Sequence, residues 1–441
     1  MPLAEADVLA FPDDFLWGAA SSAHQTEGNN RNCDWWRSEQ AGRVPYRSGD
    51  ACHSWQLWSQ DIDLLRQIGL NAYRLSVEWS RIEPSPGVFD QAALDHYRRL
   101  VEAIRAAGIE PIVTLHHFTN PIWLADAGGW ASAQVVPRFA QFADRVGRRL
   151  GDLVRWWVSI NEPSVFGLFG YLTGAWPPHR QNDLLGYARH VRHTLAGHAA
   201  ARRAVRAQSP EAQPSMALHL NPIDPVRYRD PTDHLAAWLY DRLWQGWFLR
   251  AARRDLDWVG VNYYFRLLVR WDVLPWRFLE PPQMGPHDKT EYGWEIYPKG
   301  LYRVLKRVGA LGKPVIVTEN GIADADDDQR ARYILAHLAQ AHRAWREGVD
   351  LRGYIHWSLV DNFEWSEGFS KRFGLAEVDL ETKQRRLRPS ARVYGEIAQR
   401  NCVSLSVLNG RPRSTRDGRA GEVRPLVGPS DRSLTVAQGG R

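Results

Sequence analysis

Eight short apolar runs, separated by segments with helical spacing, constrain the fold of this chain more than any other feature. Each run is mainly apolar and does not alternate strictly with polar residues, which is typical of strands buried on both faces of a parallel sheet. Two of the intervening segments, 57–68 and 94–107, carry apolar residues three and four positions apart, the period of an amphipathic helix. The runs are 15–20, 72–77, 111–116, 156–160, 215–220, 258–264, 314–318 and 352–357.

The alternation of strands and helices predicts an α/β fold, and eight parallel strands close naturally into a single (β/α)8 TIM barrel. The chain has 441 residues, of which 44% are hydrophobic. Barrels of this kind often exceed the usual size of one domain. We place the catalytic barrel at 11–401. The remaining residues, 402–441, are rich in Gly, Pro, Ser and Arg without an apolar period, which predicts a basic, flexible tail.

The positive charge does not indicate a nucleic-acid partner. The formal net charge is +6, but residues 403–441 contain seven Arg and three acids, which leaves only +2 for the rest of the chain. A nearly neutral body is a poor surface for following a phosphate backbone. No stretch of the sequence approaches the roughly 20 apolar residues that cross a bilayer, so we expect no membrane partner either.

The cysteines and the first residues favour a cytoplasmic location. Residues 1–10 contain acids where a signal peptide has a basic segment, and they lack a long apolar run. Cys33, Cys52 and Cys402 are odd in number, widely spaced and outside any CxxC pattern, so we expect isolated, reduced thiols. Such thiols suit a reducing compartment, and their spacing predicts no metal site.

Polar side chains gather where the predicted strands end. In TIM barrels the active site forms at the C-terminal ends of the strands, so residues there are candidates for catalysis. One carboxylate in such a place is explained by an ion pair, whereas several polar strand ends at one rim favour a functional site. These residues are His116 and His117 after the third run, Asn161 and Glu162 after the fourth, Asn262 and Tyr263 in the sixth, Glu319 and Asn320 after the seventh, and Trp357 with the segment 361–365 after the eighth.

Glu162 and Glu319 can face each other across the barrel mouth, and two facing carboxylates are the minimum for glycoside hydrolysis. A separation of about 5 Å implies retention and one of about 6.5–9.5 Å implies inversion, and the sequence leaves this open. Arg74 and Tyr263 are candidate donors that keep Glu319 ionised as a nucleophile. Glu162 donates a proton first, so we expect burial and the other carboxylate to raise its pKa until Glu319 becomes an uncharged ester.

Five sequence blocks occur in a characteristic order. They are FLWGAASSAHQTEG (15–28), YRLSVEWSRIEP (73–84), NEP (161–163), TENG (318–321) and HWSLVDNFEWSEGFSKRFGL (356–375). Together they resemble the signatures of glycoside hydrolase family 1, the family of retaining barrel enzymes that includes β-glucosidases and β-galactosidases. A lone NEP is weak evidence, whereas these blocks in this order are strong. The resemblance covers 11–401, nearly the whole body of the chain.

The resemblance implies that Glu319 is the nucleophile, that Glu162 is the acid/base, and that Arg74 and Tyr263 position Glu319. It implies no cofactor and no metal. The partners that it implies are small β-glycosides or oligosaccharides. The residues implied to bind the sugar are Gln25 and Glu364 at the 3-, 4- and 6-hydroxyls, His117 and Trp365 near the 3-hydroxyl, Asn161 at the 2-hydroxyl, Trp357 under the ring, and Tyr263.

The expected activity is hydrolysis of terminal β-glucosides, and also of β-galactosides or β-fucosides. The sequence departs from the family pattern on the side of the leaving group. Ser164 follows Pro163 where many relatives place a Trp, and His219 stands where many have Asn. The segment between the two glutamates is also short for the family, which predicts a more open rim. These departures leave the aglycone and the exact fit of the sugar in subsite −1 unspecified.

Three alternatives remain. A 6-phospho-β-glycosidase pairs a Lys with a Tyr at the phosphate; here Lys371 is present, but Phe373 lacks the phenol and Glu364 would repel the phosphate. A non-catalytic sugar-binding relative on the same fold commonly lacks one glutamate, whereas both are present. A metal-dependent barrel hydrolase needs clustered ligands, which His116 and His117 alone do not supply.

Overall fold

The computed structural model describes residues 8–271 and 285–404. Eight of the described strands form a closed, parallel barrel in the order β2-β3-β4-β5-β6-β8-β10-β11, and β11 pairs with β2 to close it. The predicted (β/α)8 barrel is confirmed. The strands are β1 (Val8–Ala10), β2 (Leu16–Ala20), β3 (Ala72–Ser76), β4 (Glu110–His116), β5 (Trp156–Asn161), β6 (Gln213–His219), β7 (Ile223–Pro225), β8 (Val259–Asn262), β9 (Leu267–Val269), β10 (Val315–Asn320), β11 (Leu351–Trp357), β12 (Ala376–Val378), β13 (Arg385–Leu387) and β14 (Cys402–Ser404).

The helices lie outside the barrel strands. The two segments with helical spacing, 57–68 and 94–107, correspond to α3 (Ser54–Ile68) and α5 (Gln91–Ala106). The helices are α1 (Ala23–Thr26), α2 (Asp34–Gln40), α3 (Ser54–Ile68), α4 (Trp79–Ile82), α5 (Gln91–Ala106), α6 (Ile122–Asp126), α7 (Val135–Leu150), α8 (Pro163–Gly167), α9 (Leu184–Gln208), α10 (Pro231–Asp241), α11 (Trp247–Ala252), α12 (Pro298–Gly309), α13 (Arg330–Arg346) and α14 (Pro389–Arg400). Among the helices of the described residues, none has the length and apolar character needed to cross a membrane.

The apolar core has two separate parts, because successive side chains of a strand point to opposite faces. The larger part fills the layer between strands and helices. The smaller part contains one fully buried side chain from most barrel strands and fills the barrel interior. Its strand residues are Ala20, Ala72, Ile112, Val158, Ala217, Ile316 and Ile355. Ala72 precedes Arg74 by two positions, so an apolar layer lies beneath the polar residues at the C-terminal ends of the strands.

The first and last described strands form a two-stranded sheet separate from the barrel. β1 pairs antiparallel with β14, with Val8 opposite Ser404. Residues 402–404, which we assigned to the tail from sequence, therefore form a strand in the structure. The rest of the predicted tail, 405–441, lies outside the described residues. Cys33 and Cys52 are buried, and these two and Cys402 are all unpaired thiols.

Candidate active site

Glu162 leaves the end of β5 in a left-handed backbone conformation, with φ 41° and ψ 57°. This conformation costs a residue with a Cβ about 1–3 kcal/mol, so the surrounding structure has to impose it. The Glu162 N–H donates to the carbonyl oxygen of Ala217 on β6 at 2.8 Å, and Pro163 begins α8 immediately afterwards. The turn between strand and helix places the Glu162 carboxyl at the barrel mouth, where it is 7% exposed.

Glu319 lies on β10, where every residue is buried. Its carbonyl oxygen accepts the N–H of Tyr263 at 2.9 Å, which ties β10 to the end of β8. Its two carboxylate oxygens have different donors. Arg74 on β3 forms an ion pair with Oε1, and the hydroxyl of Tyr264 donates to Oε2 at 2.7 Å. Both oxygens of Glu319 are therefore held by protein donors.

Arg74 connects the strands that carry the two glutamates. Its guanidinium is 1% exposed and donates from Nη2 to Oδ1 of Asn161 at 2.6 Å. It also donates from Nη1 to the carbonyl oxygen of Thr318 at 3.2 Å and from Nε to Oγ1 of Thr114 at 3.3 Å. Because Asn161 precedes Glu162 and Thr318 precedes Glu319, one guanidinium holds the residue before each carboxyl, by its side chain at Asn161 and by its backbone at Thr318.

The Glu162 carboxyl has a different set of donors. Asn262 on β8 donates from Nδ2 to Oε1 at 2.7 Å, and Nδ1 of His219, at the end of β6, lies 3.3 Å from the same oxygen. Among the residues that the structure describes, no hydrogen bond reaches Oε2 of Glu162. Asn262 is itself oriented by the hydroxyl of Thr318, which donates to its Oδ1 at 2.6 Å.

Asn262, His219 and Tyr264 belong to the site, and of these three only Asn262 is among the polar strand ends predicted from sequence, where it has no specific role. A signal for all three was present. Asn262 and His219 end barrel strands, as the predicted site residues do. Tyr264 lies two positions after Asn262 and therefore on the same face of the extended chain.

The expected donation from the Tyr263 side chain to the Glu319 carboxylate is wrong. The Tyr263 hydroxyl donates to the carbonyl oxygen of Tyr297 at 2.6 Å, and its ring belongs to the outer core, against α12 and α13. Gly300 at the start of α12 leaves no room for a Cβ because the Tyr263 hydroxyl occupies that space. Side chains alternate along the strand, so Asn262 and Tyr264 face the barrel mouth and Tyr263 faces the helices.

The pKa values of the two glutamates differ from the expected order. Burial raises the pKa of Glu319 to about 7. The ion pair with Arg74 opposes this rise, and the charge of Glu162 adds to it. Burial also acts on Glu162, but His219 and Asn262 help to lower its pKa overall. The expected rise is therefore not found for Glu162 alone, because its donors were not foreseen, and the raised pKa belongs to the pair of carboxyls. Since ionisation of one carboxyl opposes ionisation of the other, the pair retains one proton up to about pH 7.

Gln25 and Glu364 come together as expected from residues far apart in the chain. The Gln25 side chain is fully buried, and its Nε2 donates to the carbonyl oxygen of Phe363 at 2.9 Å and to Oε2 of Glu364 at 3.3 Å. Ser22 donates to Oε1 of Gln25 at 2.6 Å. Desolvation, followed by the charges of Glu319 and Glu162, raises the pKa of Glu364 to about 8. Glu364 therefore shares one electrostatic environment with both candidate catalytic groups.

His117 lies between Trp357 and Trp365. Its ring centroid is 5.9 Å from that of Trp357 and 6.1 Å from that of Trp365, with interplanar angles of 13° and 12°. Burial, and then Arg74, hold the pKa of His117 well below its usual range, so the ring is neutral. The amide nitrogen of Asn161 lies 3.4 Å from His117 Nε2 and can only donate, which places the ring proton on Nδ1. His117 Nδ1 is buried and has no partner among the described residues.

Within the part of the chain that the structure describes, one acidic group could hold a metal ion, and it is separate from these residues. Atoms of Glu291, Asp324 and Asp326 lie within 4.8 Å of one another. Asp324 already accepts the backbone N–H groups of Gln329 at 3.1 Å and Arg330 at 2.8 Å, at the start of α13. Its position is thus explained by helix capping.

A barrel with two buried glutamates at the C-terminal ends of its strands defines a barrel hydrolase of the glycoside-cleaving class. The sequence model of glycosyl hydrolase family 1 matches residues 8–255 and 250–403. The chain belongs to glycosyl hydrolase family 1. The predicted family and enzyme class are therefore confirmed.

Known relatives match over nearly their whole length. The β-glucosidase A of Thermotoga maritima is 32% identical, with 90% of this chain and 99% of that protein covered. A β-galactosidase of Sulfolobus acidocaldarius is 33% identical, with 92% and 99% covered. A β-glycosidase structure from Pyrococcus horikoshii superposes with a TM-score of 0.86 at 39% identity, covering 90% of this chain and 96% of that one.

The Thermotoga maritima β-glucosidase has also been solved with two different sugar-like ligands. One structure contains glucoimidazole and has a TM-score of 0.83, and the other contains galacto-hydroximolactam and has a TM-score of 0.82. Both are 31% identical to this chain, and each comparison covers 89% of this chain and 99% of the other.

Proposed function

We propose that this protein is a retaining β-glycosidase in which Glu319 is the nucleophile and Glu162 is the acid/base. The observation that carries the proposal is the unequal supply of donors to the two carboxyls. Arg74 and Tyr264 occupy both oxygens of Glu319, which favours its anion. Oε2 of Glu162 accepts no hydrogen bond from the described residues, so we place the proton that the pair retains on that oxygen.

In the first step the Glu319 carboxylate attacks the anomeric carbon. The bond from that carbon to the glycosidic oxygen breaks, and Glu162 protonates the departing oxygen. The products are a glycosyl ester on Glu319 and a free alcohol or phenol. The step needs a nucleophile that is already ionised and an acid within reach, which the two donor sets supply.

In the second step Glu162 acts as a base. The negative charge of Glu319 has disappeared in the ester, so its influence on the pKa of Glu162 is lost and the carboxylate form of Glu162 is favoured. Glu162 removes a proton from water, the water oxygen attacks the anomeric carbon, and the ester bond to Glu319 breaks. Two inversions at one carbon give net retention.

The sugar would lie against the residues that link the strand ends. Gln25 and Glu364 offer an amide and a carboxyl to neighbouring hydroxyls, and Asn161 lies beside Glu162 at the 2-hydroxyl. His117 offers its unpartnered Nδ1–H near the 3-hydroxyl, and Trp357 supplies a flat apolar face for the ring. Trp365 packs beside His117 and completes this part of the pocket. This arrangement fits a glucosyl, galactosyl or fucosyl group.

Relatives named as β-glucosidases and β-galactosidases support both sugar types, as do the gluco- and galacto-configured ligands of the Thermotoga maritima enzyme. A cytoplasmic location is supported by the three unpaired thiols. The substrates would then be small, soluble β-glycosides or oligosaccharides.

The 6-phospho-β-glycosidase alternative gains no support from the surroundings of Phe373. Its ring packs 6.2 Å from that of Tyr264 and 6.1 Å from that of Trp294, and it has no hydroxyl to offer a phosphate. The non-catalytic alternative is opposed by the presence of both glutamates, each held by its own donors.

A panel of aryl β-glycosides followed by proton NMR tests the proposal. We expect turnover of glucosides and galactosides, slower turnover of 6-phosphoglycosides, and the β-anomer as the first-formed sugar. Glu319→Gln is the matched control and should be inactive throughout the panel. A first-formed α-anomer would mean inversion, and no turnover of any glycoside by the wild type would remove the assignment altogether.

A further inference from the structure

We propose that His219 is a positioning residue for the acid/base, whose Nδ1–H holds Oε1 of Glu162 so that Oε2 carries the catalytic proton. The inference rests on the proposed role of Glu162 and adds a residue to it. His219 is the last residue of β6, and its register partner on β8 is Asn262. The His219 ring therefore comes from β6, the strand next to β8, which carries the other donor, Asn262.

The hydrogen bonds of His219 determine which ring nitrogen carries its proton. Asn221 Nδ2 lies 2.8 Å from Nε2 of His219, and an amide nitrogen can only donate. Nε2 is therefore the acceptor, and the proton of a neutral ring lies on Nδ1, 3.3 Å from Oε1 of Glu162. The contact between the two side chains is a donation from His219 to Glu162.

Asn221 is itself fixed by the layer behind it. Its backbone N–H donates to Oε1 of Gln245 at 2.7 Å, and Nε2 of Gln245 donates back to the Asn221 carbonyl oxygen at 2.8 Å. Gln245 is 4% exposed and belongs to the π-helical turn Arg242–Gly246, an irregularity that is frequent near functional sites. The π-helical turn therefore holds the residue that orients His219.

Aromatic packing restricts the His219 ring. Its centroid is 6.1 Å from that of Tyr264, with an interplanar angle of 22°, and 5.6 Å from that of Phe265. The Tyr264 hydroxyl donates to Glu319, so the same side chain that packs against His219 is itself a donor to the other glutamate. Only 13% of the His219 side chain is exposed, which limits competition by water.

The two donors on Oε1 determine which oxygen of Glu162 carries the acidic proton. Oε1 of Glu162 accepts from Asn262 and His219, so the acidic proton lies on Oε2, which is left for the substrate. When Glu162 has lost that proton, the same donors stabilise its carboxylate. Burial opposes ionisation, and among the influences that lower the pKa of Glu162, His219 is the largest.

Other ionisable groups act on the Glu162–His219 pair and limit the size of the effect. Arg74 from β3 favours the Glu162 carboxylate, whereas the negative charges on neighbouring elements oppose it. The groups from elements around the pair are Arg74 on β3, Glu319 on β10, Tyr264 after β8 and Glu364 after β11. Removing His219 leaves these groups in place, so the pKa of Glu162 should rise.

The experiment is the pH dependence of kcat/KM for 4-nitrophenyl β-glucoside in His219→Ala and His219→Asn. Glycosylation needs protonated Glu162, so activity falls as pH rises through the pKa of that group. In His219→Ala we expect the alkaline limb to move up by about one pH unit. In His219→Asn, whose amide nitrogen lies near the position of Nδ1, the limb should return towards that of the wild type.

Phe265→Leu is the matched control, because it changes packing against His219 and removes no donor. Its alkaline limb should coincide with that of the wild type. An unchanged limb in His219→Ala, with kcat/KM lowered evenly at all pH values, would overturn the inference and leave His219 a packing residue. Inactivity of the wild-type enzyme would instead contradict the proposed function, so the two failures are distinguishable.

Discussion

The two glutamates of the site are chemically identical, but the structure surrounds them differently. Glu319 has a donor on each oxygen, and one of these donors is the permanent cation Arg74. Glu162 has two donors on one oxygen, an amide and an imidazole, and its other oxygen accepts no hydrogen bond from the described residues. In the proposed mechanism the donors, and not the residue type, distinguish the carboxyl that attacks from the one that transfers the proton.

Removal of the attacking carboxyl should produce the largest loss. We expect Glu319→Gly to lower kcat on aryl β-glycosides by about 10⁴-fold or more, because no other group replaces the nucleophile. Azide can enter the space and attack from the same face, so it should partly restore turnover and give the α-glycosyl azide. Kinetics and NMR of the products check this. Full activity without azide would remove Glu319 from the mechanism.

Removal of the acid should depend on the leaving group. General acid catalysis contributes about 10²- to 10⁴-fold, but a good leaving group needs little protonation. In Glu162→Ala we therefore expect a large loss of kcat/KM for methyl or alkyl glycosides and a small one for 2,4-dinitrophenyl glycosides. Azide should give the β-glycosyl azide, the opposite anomer to that from Glu319→Gly. Equal losses across leaving groups would count against the acid role.

The neighbouring tyrosines offer a sharper comparison. Tyr264→Phe removes the donor to Oε2 of Glu319, and a hydrogen bond to a charged group contributes about 1.5–3 kcal/mol, so kcat should fall about 10- to 100-fold. Tyr263→Phe removes only the donation to the Tyr297 carbonyl oxygen. It should leave kcat nearly unchanged and lower the free energy of unfolding by about 1 kcal/mol. Steady-state kinetics and denaturant unfolding of both variants measure these effects. A large loss of kcat in Tyr263→Phe with little change in Tyr264→Phe would show that the two roles are reversed.

The smallest expected effect is the response of the wild-type enzyme to pH. The carboxyl pair retains one proton up to about pH 7, and glycosylation needs that proton. The value of kcat/KM should therefore fall above about pH 7, approaching a tenfold loss per pH unit at higher pH. Initial rates at low substrate concentration measure this directly. A flat profile to pH 9 would show that the pair does not control the first step.

The barrel strands could be predicted because burial on both faces leaves continuous apolar runs. The run at 72–77 corresponds to β3 (Ala72–Ser76), and that at 352–357 to β11 (Leu351–Trp357). Short strands such as β7 and β9 pair with each other outside the barrel, and three residues are too few to create a pattern. Their position depends on tertiary contacts that local sequence does not encode.

The site could be predicted where function leaves a motif, and less well where it depends on side-chain direction. Glu162 and Glu319 lie as expected at the ends of β5 and β10, and Arg74 lies in the middle of β3. Tyr263 was predicted as the donor to Glu319, but the donor is Tyr264, which lies two positions after Asn262 and faces the same way. The pKa order was also wrong, because it depends on which donors reach each oxygen, and that is a property of three-dimensional packing.

The central claim is that Glu319 becomes covalently linked to the sugar. A 2-deoxy-2-fluoroglucosyl substrate with a good leaving group tests it most directly. The fluorine slows both steps, but the good leaving group keeps the first step fast, so the covalent intermediate accumulates. Mass spectrometry of the intact protein and of its peptic peptides should show one fluoroglucosyl group per chain, on the peptide that contains Glu319. A label on Glu162 or on any other residue would contradict the account.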